Sequence, residues 1–262
     1  MSDTSEHFSQ IRRAADILMQ SHLTVAFTGA GLSTRSGIPD FRSPKTGLWA
    51  RADLSQSNEL SVGSIRGFPR DPQAFYNGFG PLVKKIFDAE PNSAHFALTR
   101  LETSGYIKTI ITQNADLLHQ RAGSQQVIEV HGSLAEATCI QCYKIVSARP
   151  LFEQFFVDGQ VPCCQKCGGV MKPNVILTGE QLPRDAIFAA QLAVLQCDVM
   201  LIAGTSLPGG PATALAEAAL KQGTRLIIIN LTPTLLDSYA DIVIHSDVVE
   251  VLPALADILC EV

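Results

Sequence analysis

Residues 23–31 read LTVAFTGAG, and this stretch decides the fold. From Leu23 to Thr28 the side chains are apolar at nearly every position, the pattern of a parallel strand covered on both faces. Gly29 and Gly31 close the strand where it turns toward a helix, and backbone N–H groups at such a turn can approach a phosphate closely. Upstream, FSQIRRAADILMQ (8–20) sets Ile11, Ala14, Ala15 and Leu18 at helical spacing until Ser21 breaks the pattern. Downstream, short apolar runs recur at 107–112, 199–203 and 225–230, with a weaker one at 241–245. Helix-like stretches at 72–87, 91–104 and 211–221 lie between them, the last with Pro211 at a first-turn position. Strands alternating with helices predict an α/β fold, a doubly wound parallel sheet of Rossmann-like type.

Two segments depart from this rhythm. Residues 42–71 are rich in Ser, Gly, Arg and Pro with little periodicity, the profile of a long loop acting as a lid. Residues 136–172 replace strand signals with cysteines, glycines and short polar turns, which predicts a small module inserted into the sheet domain.

The composition narrows the function. The chain has 262 residues, 46% hydrophobic and 17% charged, a globular balance. Its 20 Lys and Arg against 25 Asp and Glu leave a formal charge of −5 with no basic run, which disfavours nucleic acid as a partner. No apolar stretch approaches the ~20 residues of a membrane span, and the polar start MSDTSEHFSQ lacks a signal-peptide core, so a cytoplasmic monomer is the default expectation.

Seven cysteines without an export signal argue against a disulfide scaffold. Cys197 and Cys260 stand beside apolar runs and read as small buried hydrophobes. Cys139-x-x-Cys142 and Cys164-x-x-Cys167 form a zinc signature, each turn presenting two thiolates to one tetrahedral ion. Four thiolates close the coordination sphere, so the metal is structural. Cys163-x-x-x-Cys167 is an alternative register.

Further motifs carry chemistry. GAGLSTRSGIPDFRS (29–43), TQNADLLHQRAG (112–123), EVHGS (129–133), GTSL (204–207) and IIIN (227–230) follow one another along the chain. In this order they resemble the sirtuins, NAD-dependent protein lysine deacylases, and the resemblance covers nearly the whole chain in a bacterial or archaeal style. It implies NAD contacts from Gly29, Ala30, Gly31 and Ser33 at the turn, and from Asp40, Phe41 and Arg42 in the closing loop. It further implies contacts from Gln113, Asn114 and Asp116 to the ribose, a water and the nicotinamide carboxamide, and from Gly204, Thr205, Ser206 and Asn230 to the adenosine half. His131 matches the general base and Asn114 is the second catalytic position; a histidine of ordinary pKa ~6.5 can accept a ribose hydroxyl proton at neutral pH. His119 is expected to pack or orient. The implied organisation is an NAD-binding domain over 1–135 and 173–262, with 42–90 as cofactor loop and helical insert, and a zinc module over 136–172.

The chain also departs from the family. Thr178 replaces the usual aromatic in KPNVILTGEQLP (172–183), Gly209 stands where a valine is frequent, and Ala115 replaces a larger residue in TQNAD. Ile176, Gly179 and Glu180 still resemble the strand that pairs with substrate backbone. With Ala115, Thr178 and Gly209 at the acyl pocket, three large-to-small changes would favour acyl chains longer than acetyl, at ~0.8 kcal/mol per buried CH₂. Trp49 and Arg51 lack the tyrosine that would make a pair for acidic acyl groups. The reading is an enzyme that moves an acyl group from protein lysine to ADP-ribose and releases nicotinamide. Protein ADP-ribosyl transfer and a catalytically weak NAD-sensing module are the alternatives.

Overall fold

A computed structural model describes residues 2–40, 62–207 and 209–260. The chain begins with α1 (Ser2–Gln20) and β1 (Thr24–Thr28), then α2 (Pro72–Asp88), α3 (Ser93–Thr103), β2 (Thr109–Thr112), α4 (Leu118–Arg121) and β3 (Val127–Glu129). It continues through β4 (Gly132–Cys139), β5 (Ile145–Ser147), α5 (Ala148–Asp158), β6 (Met171–Val175) and α6 (Arg184–Gln196). It ends with β7 (Val199–Ala203), α7 (Pro211–Lys221), β8 (Arg225–Ile229), β9 (Ile242–Ile244) and α8 (Val248–Cys260).

Six strands form one parallel sheet in the order β3-β2-β1-β7-β8-β9. β1, β7 and all but the first residue of β8 are buried, as strands covered on both faces must be. One face carries Ala26, Leu201 and Ile227 against α1, α3 and α8; the other carries Val25, Phe27, Met200 and Ile228 against α6 and α7. The chain moves outward from β1 to β3, then returns to β7 on the opposite side of β1 and moves outward again. The strand order therefore reverses between β1 and β7, and the crevice beyond their carboxyl ends is where open α/β sheets bind ligands.

Residues 132–175 form a second, antiparallel sheet in the order β5-β4-β6. It packs on an aromatic cluster in which Tyr76 touches Phe75, Phe152 and Phe155 and donates its hydroxyl to the Met171 carbonyl at 2.6 Å. Burial pushes that phenol pKa up.

The apolar runs that predicted strands became strands with ends trimmed by a residue or two. Helices α5, α6 and α8 went unread, because α5 lies among the polar turns of the cysteine segment and α8 has Pro253 in its interior. The turn after β1 leads not into an α-helix but into two three-residue 3-10 turns, Ala30–Leu32 and Thr34–Ser36. So short a turn sums few peptide dipoles.

Candidate active site

The site begins where two glycine turns interlock. Gly31 donates its N–H to the Gly204 carbonyl at 2.8 Å, and Gly29 donates to the Ala203 carbonyl at 3.3 Å. A Cβ on Gly204, at φ 64°, would stand 2.4 Å from the Leu32 nitrogen, and one on Gly31 would stand 2.8 Å from the Gly204 oxygen. Only glycine permits this backbone-on-backbone approach. It also spends the amides: Gly29, Gly31, Leu32 and Ser33 all donate to carbonyls of the chain, while the Ala30 N–H has no acceptor among the described residues. The turn thus offers a ligand fewer N–H groups than its glycine pattern suggested. Gln113 spans the same crevice, donating Nε2–H to Thr205 Oγ1 at 3.1 Å. Asn230 anchors a neighbouring turn through Nδ2 to the Thr232 carbonyl at 2.7 Å, and Ser206 is partly buried beside Thr205.

Behind the turn lies a buried polar cluster. Asn114 donates from Nδ2 to the Gly29 carbonyl and to Ser33 Oγ, both at 3.1 Å, and Ser33 donates to Asp116 Oδ2 at 2.6 Å. Asp116 Oδ1 accepts the Leu118 N–H at 3.0 Å across Leu117, which is held at φ 65°. Burial pushes the Asp116 carboxyl pKa up, and the Ser33 hydroxyl opposes it. One carboxylate thus holds both the first N–H of α4 and the Ser33 hydroxyl. With both its amide protons committed, Asn114 presents only its carbonyl oxygen as a free group.

Two histidines floor the cluster. His95 accepts the Asn92 N–H on Nδ1 at 3.3 Å within a capping box, so Nε2 carries its proton and lies 3.5 Å from Ser33 Oγ. His119 contacts Thr28 Oγ1 at 2.9 Å and packs edge-on to His95, rings 5.2 Å apart. Burial lowers their pKa values to about 4 and about 3. From the sequence His95 has a weaker claim than His131. The signal was present in Asn92, three residues before it, which marks a helix start that fixes the imidazole's direction.

His131 stands on the loop between β3 and β4, partly buried. Its Nδ1 lies 3.2 Å from the Gln113 carbonyl, which can only accept, so Nδ1 holds the proton and Nε2 is left as a base. Burial lowers its pKa while the Gln113 carbonyl raises it. The same residue ties in the next strand: its carbonyl accepts the Ile176 N–H at 3.0 Å. Beyond Ile176, Thr178 exchanges hydrogen bonds with Gly63 and Ile65, and Thr178 and Gly179 are exposed. The Thr178 backbone is therefore committed to the chain's own residues. Glu180 turns inward to accept the Leu177 N–H.

The large-to-small positions do not share one wall. Ala115 packs on the aromatic-side core, whereas Gly209 sits at φ 96° with open space where its Cβ would be. That positive φ is a conformation that favours glycine. Asp40 is partly buried with a polar partner. Phe41, Arg42, Trp49, Arg51 and most of the predicted lid lie outside the described residues.

Cys139, Cys142, Cys164 and Cys167 converge, their sulfurs all within 4.8 Å of one another. The Cys139–Cys167 and Cys142–Cys164 separations are 3.5 and 3.6 Å, near the ~3.8 Å edge of a tetrahedron with 2.3 Å zinc–sulfur bonds. Cys163 is exposed and donates to the Val161 carbonyl, so the register is Cys164-x-x-Cys167. Cys197 is buried and Cys260 packs partly buried against the sheet core.

No helix among the described residues is long and apolar enough to cross a membrane. The Sir2 family model matches residues 29–211. The NAD-dependent protein deacylase 2 of Archaeoglobus fulgidus is 43% identical over 249 residues, covering 95% of each chain. The NAD-dependent protein deacetylase of Sulfurisphaera tokodaii is 41% identical, covering 94% of each. Among solved structures, a Sir2–p53 peptide–NAD+ complex superposes with a TM-score of 0.83 at 38% identity, covering 92% of this chain and 95% of that one.

Proposed function

The chain belongs to the Sir2 family of NAD-dependent protein deacylases, and on that premise we propose that His131 is its general base and the β1–β7 crevice its NAD cleft. The observation that carries the proposal is the fixed tautomer of His131, whose Nδ1 is held by the Gln113 carbonyl so that Nε2 is left as the base. When bound, NAD supplies the ribose carbon that nicotinamide leaves and a ribose hydroxyl that receives the acyl group. His131, with Nδ1 protonated toward the Gln113 carbonyl, would hold Nε2 as the base for that hydroxyl's proton. Asp116, braced by Ser33, would accept from the nicotinamide amide, and the Asn114 carbonyl oxygen would be left to hold a water or hydroxyl. Ala30 would offer its unpaired turn amide to the pyrophosphate and Gly204, Thr205, Ser206 and Asn230 would face the adenosine half, while the family resemblance assigns Asp40, Phe41 and Arg42 to the ribose.

Ile176, Gly179 and Glu180 belong to the segment that receives an acyl-lysine peptide by backbone pairing. A preference for acyl chains longer than acetyl rests mainly on Ala115, since Gly209 is explained by its backbone and Thr178 is exposed. Residues 136–172 act as the zinc module, with the four cysteines holding one structural ion. A monomer working on soluble proteins in the cytoplasm completes the reading.

The test is nicotinamide release with mass detection of the deacylated product, over peptides bearing acetyl, butyryl, succinyl and long-chain acyl-lysine. Release coupled to deacylation is expected, falling by roughly 10²- to 10⁴-fold in His131→Ala with NAD binding retained. Mass added to the protein without deacylation would move the assignment to ADP-ribosyl transfer. Highest kcat/KM on acetyl-lysine would end the long-chain preference.

A further inference from the structure

Lys172, in β6, is a buried cation at 9% exposure. Its Nζ donates to the carbonyls of Pro173 and Val175, both at 3.0 Å, and lies 3.0 Å from Glu180 Oε2. Three acceptors match the three ammonium protons, the condition under which a buried cation is tolerated. The same Glu180 oxygen accepts the Leu177 N–H at 2.9 Å, and the Glu180 N–H returns to the Leu177 carbonyl at 3.0 Å. One side-chain pair therefore closes the backbone from 172 to 180 into a loop of fixed shape. On that loop, the Ile176 N–H is tied to the His131 carbonyl, while the Ile176 carbonyl and both backbone groups of Gly179 have no partner among the described residues. These are the groups left to pair with an extended peptide, on a segment whose Ile176 is tied to His131.

We infer that Lys172 is a positioning residue for the acyl-peptide: acting through Glu180, it holds residues 176–180 in the shape that presents their free backbone groups next to His131. This rests on the reading of 176–180 as the substrate segment. Lys172 reaches neither the NAD crevice nor any reacting atom, so its effect falls on the peptide and not on the cofactor. A pair that only stabilised the fold would weaken both ligands together.

The experiment measures kcat, peptide KM, NAD Kd and Tm for Lys172→Met, Glu180→Gln and the double variant, with Lys172→Arg as the charge-keeping control. Peptide KM in Lys172→Met is expected to rise about tenfold, with kcat and NAD Kd within about threefold of the parent and Lys172→Arg falling between. In the Glu180→Gln background the Lys172→Met effect should shrink to about twofold or less, because the two share one interaction. Unchanged peptide KM, an undiminished effect in that background, or peptide KM and NAD Kd rising together would each overturn the inference. Should Lys172→Met fail to fold, Glu180→Gln alone must raise peptide KM without moving NAD Kd, and an unmoved KM would likewise overturn it. Hydrogen exchange of the unaltered protein separates the two readings. If acyl-peptide gives no protection at amides 176–180, the substrate-segment reading falls. Protection together with an unmoved KM in the variants removes only the role of Lys172.

Discussion

The parallel sheet and the cysteine-bearing sheet solve the same problem with different means. The parallel sheet buries both faces, with strands such as β7 wholly enclosed between two helix layers. Apolar burial at about 25 cal/mol per Å² suffices there, which leaves the strand ends free to carry a closely packed polar cluster. The antiparallel sheet has only three strands, and β5 is largely exposed. An aromatic cluster covers it from one side, and four thiols gather at the far end. Where so little apolar surface is available, a metal supplies the folding free energy that a second helix layer supplies elsewhere.

The sharpest way to break this contrast is to remove the metal. Cys164→Ser or a strong chelator is expected to unfold the β4–β6 region, a loss on the order of 10 kcal/mol of metal-linked folding free energy, while the parallel sheet persists. Cys163→Ser should stay within about 0.5 kcal/mol of the parent. Zinc content and circular dichroism melts check both, and retained zinc in Cys164→Ser would refute the register. On the other side, Gly204→Ala drives a Cβ into the Leu32 nitrogen at a positive φ, at a cost of about 4 kcal/mol. Denaturant unfolding measures it, and NAD titration should weaken in step.

Acid should attack the cofactor side through its histidines. The folded pKa of His95 is depressed to about 4 and that of His119 to about 3, so the stability they carry is present above the unfolded value of 6.5 and is lost as pH falls through the folded values. For His95 alone that is roughly 3 kcal/mol between pH 7 and pH 4, read from denaturant midpoints; His95→Gln should flatten that slope. Glu129 tests the opposite sign. Burial, opposed by a hydrogen bond from Ser133 and aided by Asp116, raises its carboxyl to about 7, and its Oε1 is buried without a partner among the described residues. Its contribution is present below about 4.5 and is lost as pH rises through about 7, so Glu129→Gln should gain roughly 1 kcal/mol over the parent at pH 8 and little at pH 5. Smallest of all, the acid limb of kcat/KM should have its midpoint below 6.5, because burial keeps His131 neutral to lower pH. A midpoint above 6.5 would contradict the burial of that ring.

Much of the candidate site was legible because its parts are short, contiguous and chemically marked. The strand-glycine turn, TQNAD and the Cys-x-x-Cys pairs announce themselves by residue type at fixed offsets. Other parts depend on distance in space. Lys172 and Glu129 carry no local mark, since a lysine in a strand and a glutamate before a turn look ordinary until burial removes their water. Gly209 shows the reverse. Its sequence mark is a small residue, and only the structure adds that its backbone stands at φ 96°, where glycine is favoured.

The sequence by itself determined the parallel α/β sheet, the four-thiolate centre and the family, because apolar period, glycine placement and ligand spacing are one-dimensional constraints. Only the tertiary structure decided which amides of the glycine turn are already spent, which nitrogen of His131 is free, that Cys164 rather than Cys163 joins the cluster, and that Lys172 and Glu180 share one charge pair. Each of these turns on hydrogen-bond partners far apart along the chain, and no local pattern specifies where a donor meets its acceptor.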